Sequence, residues 1–168
     1  MSVSMKAMLQ QIQTALLAAK WPGGNNVVFG TGSVIISRYV PEQTLTSMRV
    51  PIAQIMPGDF QSDPQYDEEP DLWVASVIVR IIVNIPGDNV GINPLVGANR
   101  PDVTKSEGAG LLDVEGILYS TIGRLNVADN ANFAMQFRQK GVAGGIHVDG
   151  NRYWAYADHR FEAIATPN

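Results

Sequence analysis

The run Leu72–Ile85, LWVASVIVRIIVNI, constrains the fold more than any other part of the chain. Every odd position from Trp73 to Ile85 is apolar, whereas the even positions admit Ser76, Arg80 and Asn84. A period of two in a β-branched run marks a strand with one face committed to a core. The even face also carries Leu72, Val74, Ile78 and Ile82, more large aliphatics than a solvated face normally holds. That second face is therefore expected to be covered in part, by another element or by another copy of the chain. At about 3.3 Å per residue the strand would span on the order of 45 Å, over twice the usual length. A helix would confine its apolar residues to a stripe at period 3.6, and a membrane span would be longer and free of Arg80.

The rest of the chain must supply what this strand packs against. With 168 residues it is long enough for one domain with a real core, and a single α+β domain over 1–168 is the expectation. Charged residues make up 17%, below the usual quarter, as in chains that bury much of their outside in an assembly. A formal net charge of -4 argues against a general nucleic-acid binder, which would carry a basic stripe. The absence of cysteine removes disulfides, Cys-ligated zinc and thiol catalysis. The N-terminal MSVSMKAMLQQIQTALLAAK holds three glutamines and lacks the continuous apolar h-region of a secretory signal. A soluble chain made in the cytoplasm is expected, with no membrane partner.

Residues from about Ser4 to Lys20 read as an amphipathic helix. Met5, Met8, Leu9, Ile12, Leu16 and Ala19 fall three and four apart, and Trp21-Pro22-Gly23-Gly24 ends the pattern. Its polar face is mainly glutamine, without the Lys/Arg row of a membrane-surface helix. Two β-rich runs follow, Asn26–Phe29 and Ser33–Tyr39, split by Gly30-Thr31-Gly32. That Gly-x-Gly lacks the third glycine, the lysine and the following helix of a phosphate loop, so it reads as a turn. Pro41, Pro51 and Pro57 then predict edge strand or ordered loop from Pro41 to Phe60.

Gly58 to Asp71 is the sharpest shift in composition. Asp59, Asp63, Asp67, Glu68, Glu69 and Asp71 occur with no basic residue, and with Pro64 and Pro70. A solvated loop is the simplest reading, since EF-hand spacing is missing and the prolines limit wrapping around a cation. A second long loop, Pro86 to Gly110, contains Ile92, Leu95 and Val96; so long a connection in a compact domain is commonly functional. Segments 58–71 and 86–110 are thus the expected interaction loops.

Ala109 to Leu125 reads as a second helix, with a stripe of Leu111, Val114, Leu118, Ile122 and Leu125 beside Ile117 and Thr121. Gly116 and Gly123 weaken it but would permit close approach to a sheet. Asp113 and Glu115 near its start complement the helix dipole. In the last third, Phe133–Gln139 alternates, Ile146–Val148 reads as a short strand, and Asp149-Gly150 is a hairpin signal. Asn151–Ala165 follows as a long strand with Tyr153, Trp154 and Tyr156 on both faces.

His147 and His159, with Asp149 and Asp158, are the only His/carboxylate constellation resembling a metal site. A turn at Asp149-Gly150 would pair Val148 with Asn151 and His147 with Arg152, leaving His159 farther along. The two histidines would not face each other. No nucleophile elbow, HExxH, P-loop or kinase element is present. No catalytic, cofactor or metal residue is assigned, and no enzyme activity is expected.

The leading helix closed by Trp21-Pro22-Gly23-Gly24, the acidic segment, the strand LWVASVIVRIIVNI, the long loop, the helix GLLDVEGILYSTIGRL and the closing hairpin IHVDGNRYWAYADHRFEAIA form a characteristic order. This order resembles that of the tail terminator, or tail completion, proteins of tailed bacteriophages. The resemblance covers nearly the whole chain and rests on element order, without a diagnostic motif. It implies a mostly antiparallel, partly curled sheet with two helices packed against it. It further implies a homo-oligomeric ring, commonly of six copies, that caps the tail tube, ends its growth and offers the head-joining surface. The partners would be the tail tube protein and a head-completion or neck protein, with DNA only as passing cargo and the head-proximal end of the virion tail as location. Arg80, Ile82, Asn84, Ile92, Leu95, Val96, Trp154 and Tyr156 are the interface candidates. The acidic residues 59, 63, 67–69 and 71 would face the channel, where negative charge keeps DNA from sticking, or a partner protein. A tail-tube or neck protein is the nearest alternative, and a cellular enzyme or ligand-binding domain the more distant one.

Overall fold

The alternating run is a central strand of a six-stranded sheet. The computed structural model describes residues 5–40, 51–62, 73–84, 109–128, 133–149 and 152–167. In chain order these form α1 (Met5–Ala18), β1 (Val34–Ile36), β2 (Ile52–Ser62), β3 (Trp73–Asn84), α2 (Leu111–Ile122), β4 (Asn126–Ala128), β5 (Phe133–Asp149) and β6 (Arg152–Pro167). The strand order is β1-β2-β3-β6-β5-β4. Only the β1–β2 pair is parallel; every other neighbour is antiparallel. The sheet is open, with three-residue strands at both borders, and the domain is α+β as expected.

Both helices pack on one face of this sheet and touch each other, α1 over β1 and β2 and α2 over β3 and β6. The helix-ward row of β3 is Ala75, Val77, Val79, Ile81 and Val83, all buried. Met8, Leu9, Ile12 and Leu16 of α1 and Leu111, Val114, Ile117, Leu118 and Ile122 of α2 close over it. Burying each such aliphatic contributes about 1.5–3 kcal/mol, which is why the spacing of apolar residues in the two helices matches the rows of the sheet. The chain leaves α1 through buried Trp21 and a single bridge, Lys20 to Val27. The run Asn26–Phe29, expected as β-rich, forms no more than this bridge. Gly30-Thr31-Gly32 is the turn expected: Gly32 has φ +83, and Ser33 returns a backbone and a side-chain hydrogen bond to the Gly30 carbonyl.

Four expectations need correction. Of the segment Pro41–Phe60, expected as edge strand or ordered loop, residues 52–60 lie in β2, and Pro57 falls where β2 is paired by β3 alone among the described residues, a border position that tolerates proline. Consequently Gly58–Ser62 belongs to β2, and the interaction loop expected at 58–71 begins no earlier than 63. The last third contains one 17-residue strand where two short ones were expected; its glycines do not end it, because β6 pairs with it on both sides of an irregularity at Lys140. In that hairpin Asp149 pairs with Arg152 and His147 with Trp154, a different register from the one an Asp149-Gly150 turn predicts. Finally, Gly116 is exposed with nothing near its absent side chain, so it serves no close approach to the sheet.

Candidate functional site

The face of the sheet away from the helices is neither dry nor fully wet. Val40, Ile52, Ile82 and Trp154 bury one another there, with Ile35 and Tyr156 packed against them. Beside this cluster Arg80 reaches across to Asp158, its register partner on β6. The contact is bidentate, Nε to Oδ1 at 2.6 Å and Nη2 to Oδ2 at 2.8 Å. The same guanidinium lies 5.2 Å from the centre of the Tyr156 ring, within cation–π range. Hydrogen bonding to Asp158 raises the Arg80 pKa, against an opposing effect of burial. On the far side of β3, Gln54 is buried at the position opposite Arg80 and donates to the Ser37 carbonyl at 2.8 Å. The result is a rigid polar row set beside an apolar patch.

Five of the eight interface candidates meet on β3 and β6: Arg80, Ile82 opposite Tyr156, and Asn84 opposite Trp154. Ile82 and Trp154 are already covered by Val40 and Ile52 of their own chain, whereas Arg80 and Tyr156 remain half-buried. Ile92, Leu95 and Val96 lie outside the described residues. So do Asp63, Asp67, Glu68, Glu69 and Asp71, while Asp59 falls with Gly58 in the irregular part of β2.

A second constellation sits on the helix-ward face. His159 follows Ala155 and Ala157 in the buried row of β6 and is 0% exposed. Its Nδ1 lies 2.8 Å from the Tyr119 hydroxyl of α2, and the rings meet edge-to-face at 5.2 Å. One turn earlier on α2, Glu115 Oε1 lies 3.5 Å from His159 Nε2, too far for a good hydrogen bond. Nε2 is buried without a hydrogen-bond partner. A Tyr119 O–H donating to Nδ1 leaves the proton on Nε2, pointing toward the carboxylate; the other tautomer would set a lone pair against it. Gln139 of β5 also hydrogen-bonds the Tyr119 side chain. Burial lowers the His159 pKa to about 4, with Asp158 opposing. Burial raises Glu115, and burial together with the Glu115 charge raises Tyr119. A neutral imidazole thus ties α2 to β6 inside the core.

His147 does not join it, being paired in register with Trp154, while His159 pairs with Val142. Among the described residues no three His, Asp or Glu side chains cluster as a metal site. Sequence reasoning treated Glu115 as a helix-dipole residue and did not mention Tyr119. The signal was present: Glu115 and Tyr119 stand four apart on one helix face, and His159 occupies an odd position among the buried residues of its strand.

The chain matches no protein-family model and no curated protein. Among the described residues no helix is long and apolar enough to cross a membrane.

Proposed function

We propose that this chain is a structural virion protein, a ring-forming terminator of a bacteriophage tail tube. The observation that supports this best is the helix-free face of the sheet. A helix layer closes one side, and the other holds a small apolar cluster continuous with the bidentate Arg80–Asp158 pair and Tyr156. Such a face suits recognition by shape and fixed charge. The order of elements and the α+β architecture agree with the resemblance seen in the sequence. In a closed ring each subunit offers two different patches to its neighbours, which accounts for a low charge content and a sheet apolar on both faces. On this reading the mechanism is assembly, with no bond made or broken. The ring ends the growth of the tube protein beneath it and presents a fresh surface to a head-completion protein, with DNA passing through the middle.

The test is the mass of the purified protein by light scattering, with negative-stain images of the same fractions. Discrete rings of about six subunits support the reading. Long tubes would transfer it to a tail-tube protein, and a monomer at every concentration, alone or with tube protein, would overturn it.

A further inference from the structure

Each border of the open sheet is covered over only a short length. β1 pairs with Ala53–Ile55 of β2, and β4 pairs with Ala134–Gln136 of β5. Among the described residues, Met56–Ser62 and Phe137–Asp149 have a neighbouring strand on one side alone. The unpaired amides and carbonyls of a border strand are a template for another chain, and proteins blunt them with proline, bulges or charge. On β2 the border carries Pro57 and an irregularity. On β5 the irregularity lies between Gln139 and Gly141, next to Arg138 and Lys140. Beyond it, Gly141–Asp149 (GVAGGIHVD) has unbroken register against β6, no proline, and no formal charge before Asp149. Residues 141–145 are exposed, Val142 at 47%. Among the described residues this is a long border with no proline, bulge or covering strand.

Strand direction indicates what fits there. Across the sheet β2, β3, β6 and β5 alternate in direction, each antiparallel to the next. Four strands return the pattern to its start, so β5 runs opposite to β2. A second copy related by rotation about an axis running roughly along the strands keeps their direction and therefore brings its β2 alongside β5 in the antiparallel sense, so that the alternation continues across the joint. The short covering strands also sit at different levels. β1 covers the rows of Val79–Ile81, and β4 those near Trp73 and Val74. The two open lengths are thus staggered, and a stagger between neighbours is what closing a sheet into a cylinder requires.

We infer that Gly141–Asp149 is a strand-addition site, and that its occupant is the Met56–Ser62 border of a second copy of this chain. The inference rests on the ring reading and supplies its joint. Pro57 removes one donor from the partner border, so β5 carries the more informative tests.

The natural absence of cysteine allows clean cross-linking. Proteins carrying Ala143→Cys would be mixed with proteins carrying Met56→Cys or Gln61→Cys, all three in register with the even row of β3, and oxidised, with Val142→Cys, in the opposite row, as the control. Heterodimers joining a β5 cysteine to a β2 cysteine are expected, since paired strands bring Cα atoms within disulfide reach. Thermal melts of each single variant confirm that it folds. Unmodified protein provides the second readout: in the assembled fraction the outward-facing amides of 141–149 exchange at least about tenfold more slowly than in dilute protein. Gly145→Cys alone cross-linking to itself would indicate β5–β5 pairing and overturn the inference. Rings whose 141–149 amides stay fast would overturn it while leaving the ring reading intact. Tubes with the expected cross-links would support it while removing the terminator reading, and a strict monomer would overturn both.

Discussion

The Tyr119 hydroxyl meets His159 Nδ1 at 2.8 Å inside the core, tying α2 to the strand beneath it. Removing one partner of such a contact leaves the other desolvated and unpaired, which costs about 1–3 kcal/mol. Tyr119→Phe is therefore expected to lower the unfolding free energy by that amount in urea titrations. His159→Leu removes the second polar group along with its orphaned Nε2. The double variant is expected to lose less than the sum of the singles, and strict additivity would show that the contact contributes nothing.

Stability should also fall in acid for a reason traceable to one ring. His159 has a folded pKa of about 4 against an ordinary 6.5, so between those values the unfolded chain binds a proton that the folded one refuses. The contribution is fully present above pH 6.5, declines as pH falls toward 4, and amounts to at most about 3 kcal/mol. Glu115, whose pKa is raised, acts with the opposite sign: its effect favours folding in acid and is lost as pH rises through its folded value. Asp158 is the other charge acting on the imidazole. Urea midpoints at pH 7 and pH 5 test this, and His159→Leu is expected to flatten the difference.

Charge reversal separates assembly from folding on the other face. Arg80→Glu places a carboxylate against Asp158 and is expected to abolish ring formation while costing the isolated fold about 1 kcal/mol, since the pair is partly solvated. Combining it with Asp158→Arg restores the attraction in reverse and should recover the monomer's stability. Light scattering then shows whether a neighbour reads the orientation of the pair.

Two glycines are expected to respond in opposite directions. Gly116 lies in α2 with nothing within 4 Å of an added Cβ, so Gly116→Ala should stabilise by about 0.5–1 kcal/mol through helix propensity. An added Cβ at Gly144 runs into the Tyr156 carbonyl and sits 3.1 Å from the Ala157 Cα. That obstacle is backbone, so Gly144→Ala should cost about 1–3 kcal/mol. Melting temperatures of both variants provide the check.

What the sequence determined by itself is local. The period of two in residues 73–84 and the stripes at 8, 9, 12, 16 and 111, 114, 118, 122 assign elements and inner faces, because burial rewards the residues one repeat apart. Tertiary structure decided everything that depends on a neighbour. Pro57 lies in β2 beyond the short stretch that β1 covers, and Gly141–Gly145 stay extended because β6 pairs with every one of them. Glu115, Tyr119 and His159 read in isolation as a dipole residue, an unremarked aromatic and a strand histidine. They become one buried constellation only when α2 is laid across β6. Side-chain periodicity is written along the chain, whereas register and desolvation are properties of pairs far apart in it, 40 residues for Tyr119 and His159 and 78 for Arg80 and Asp158.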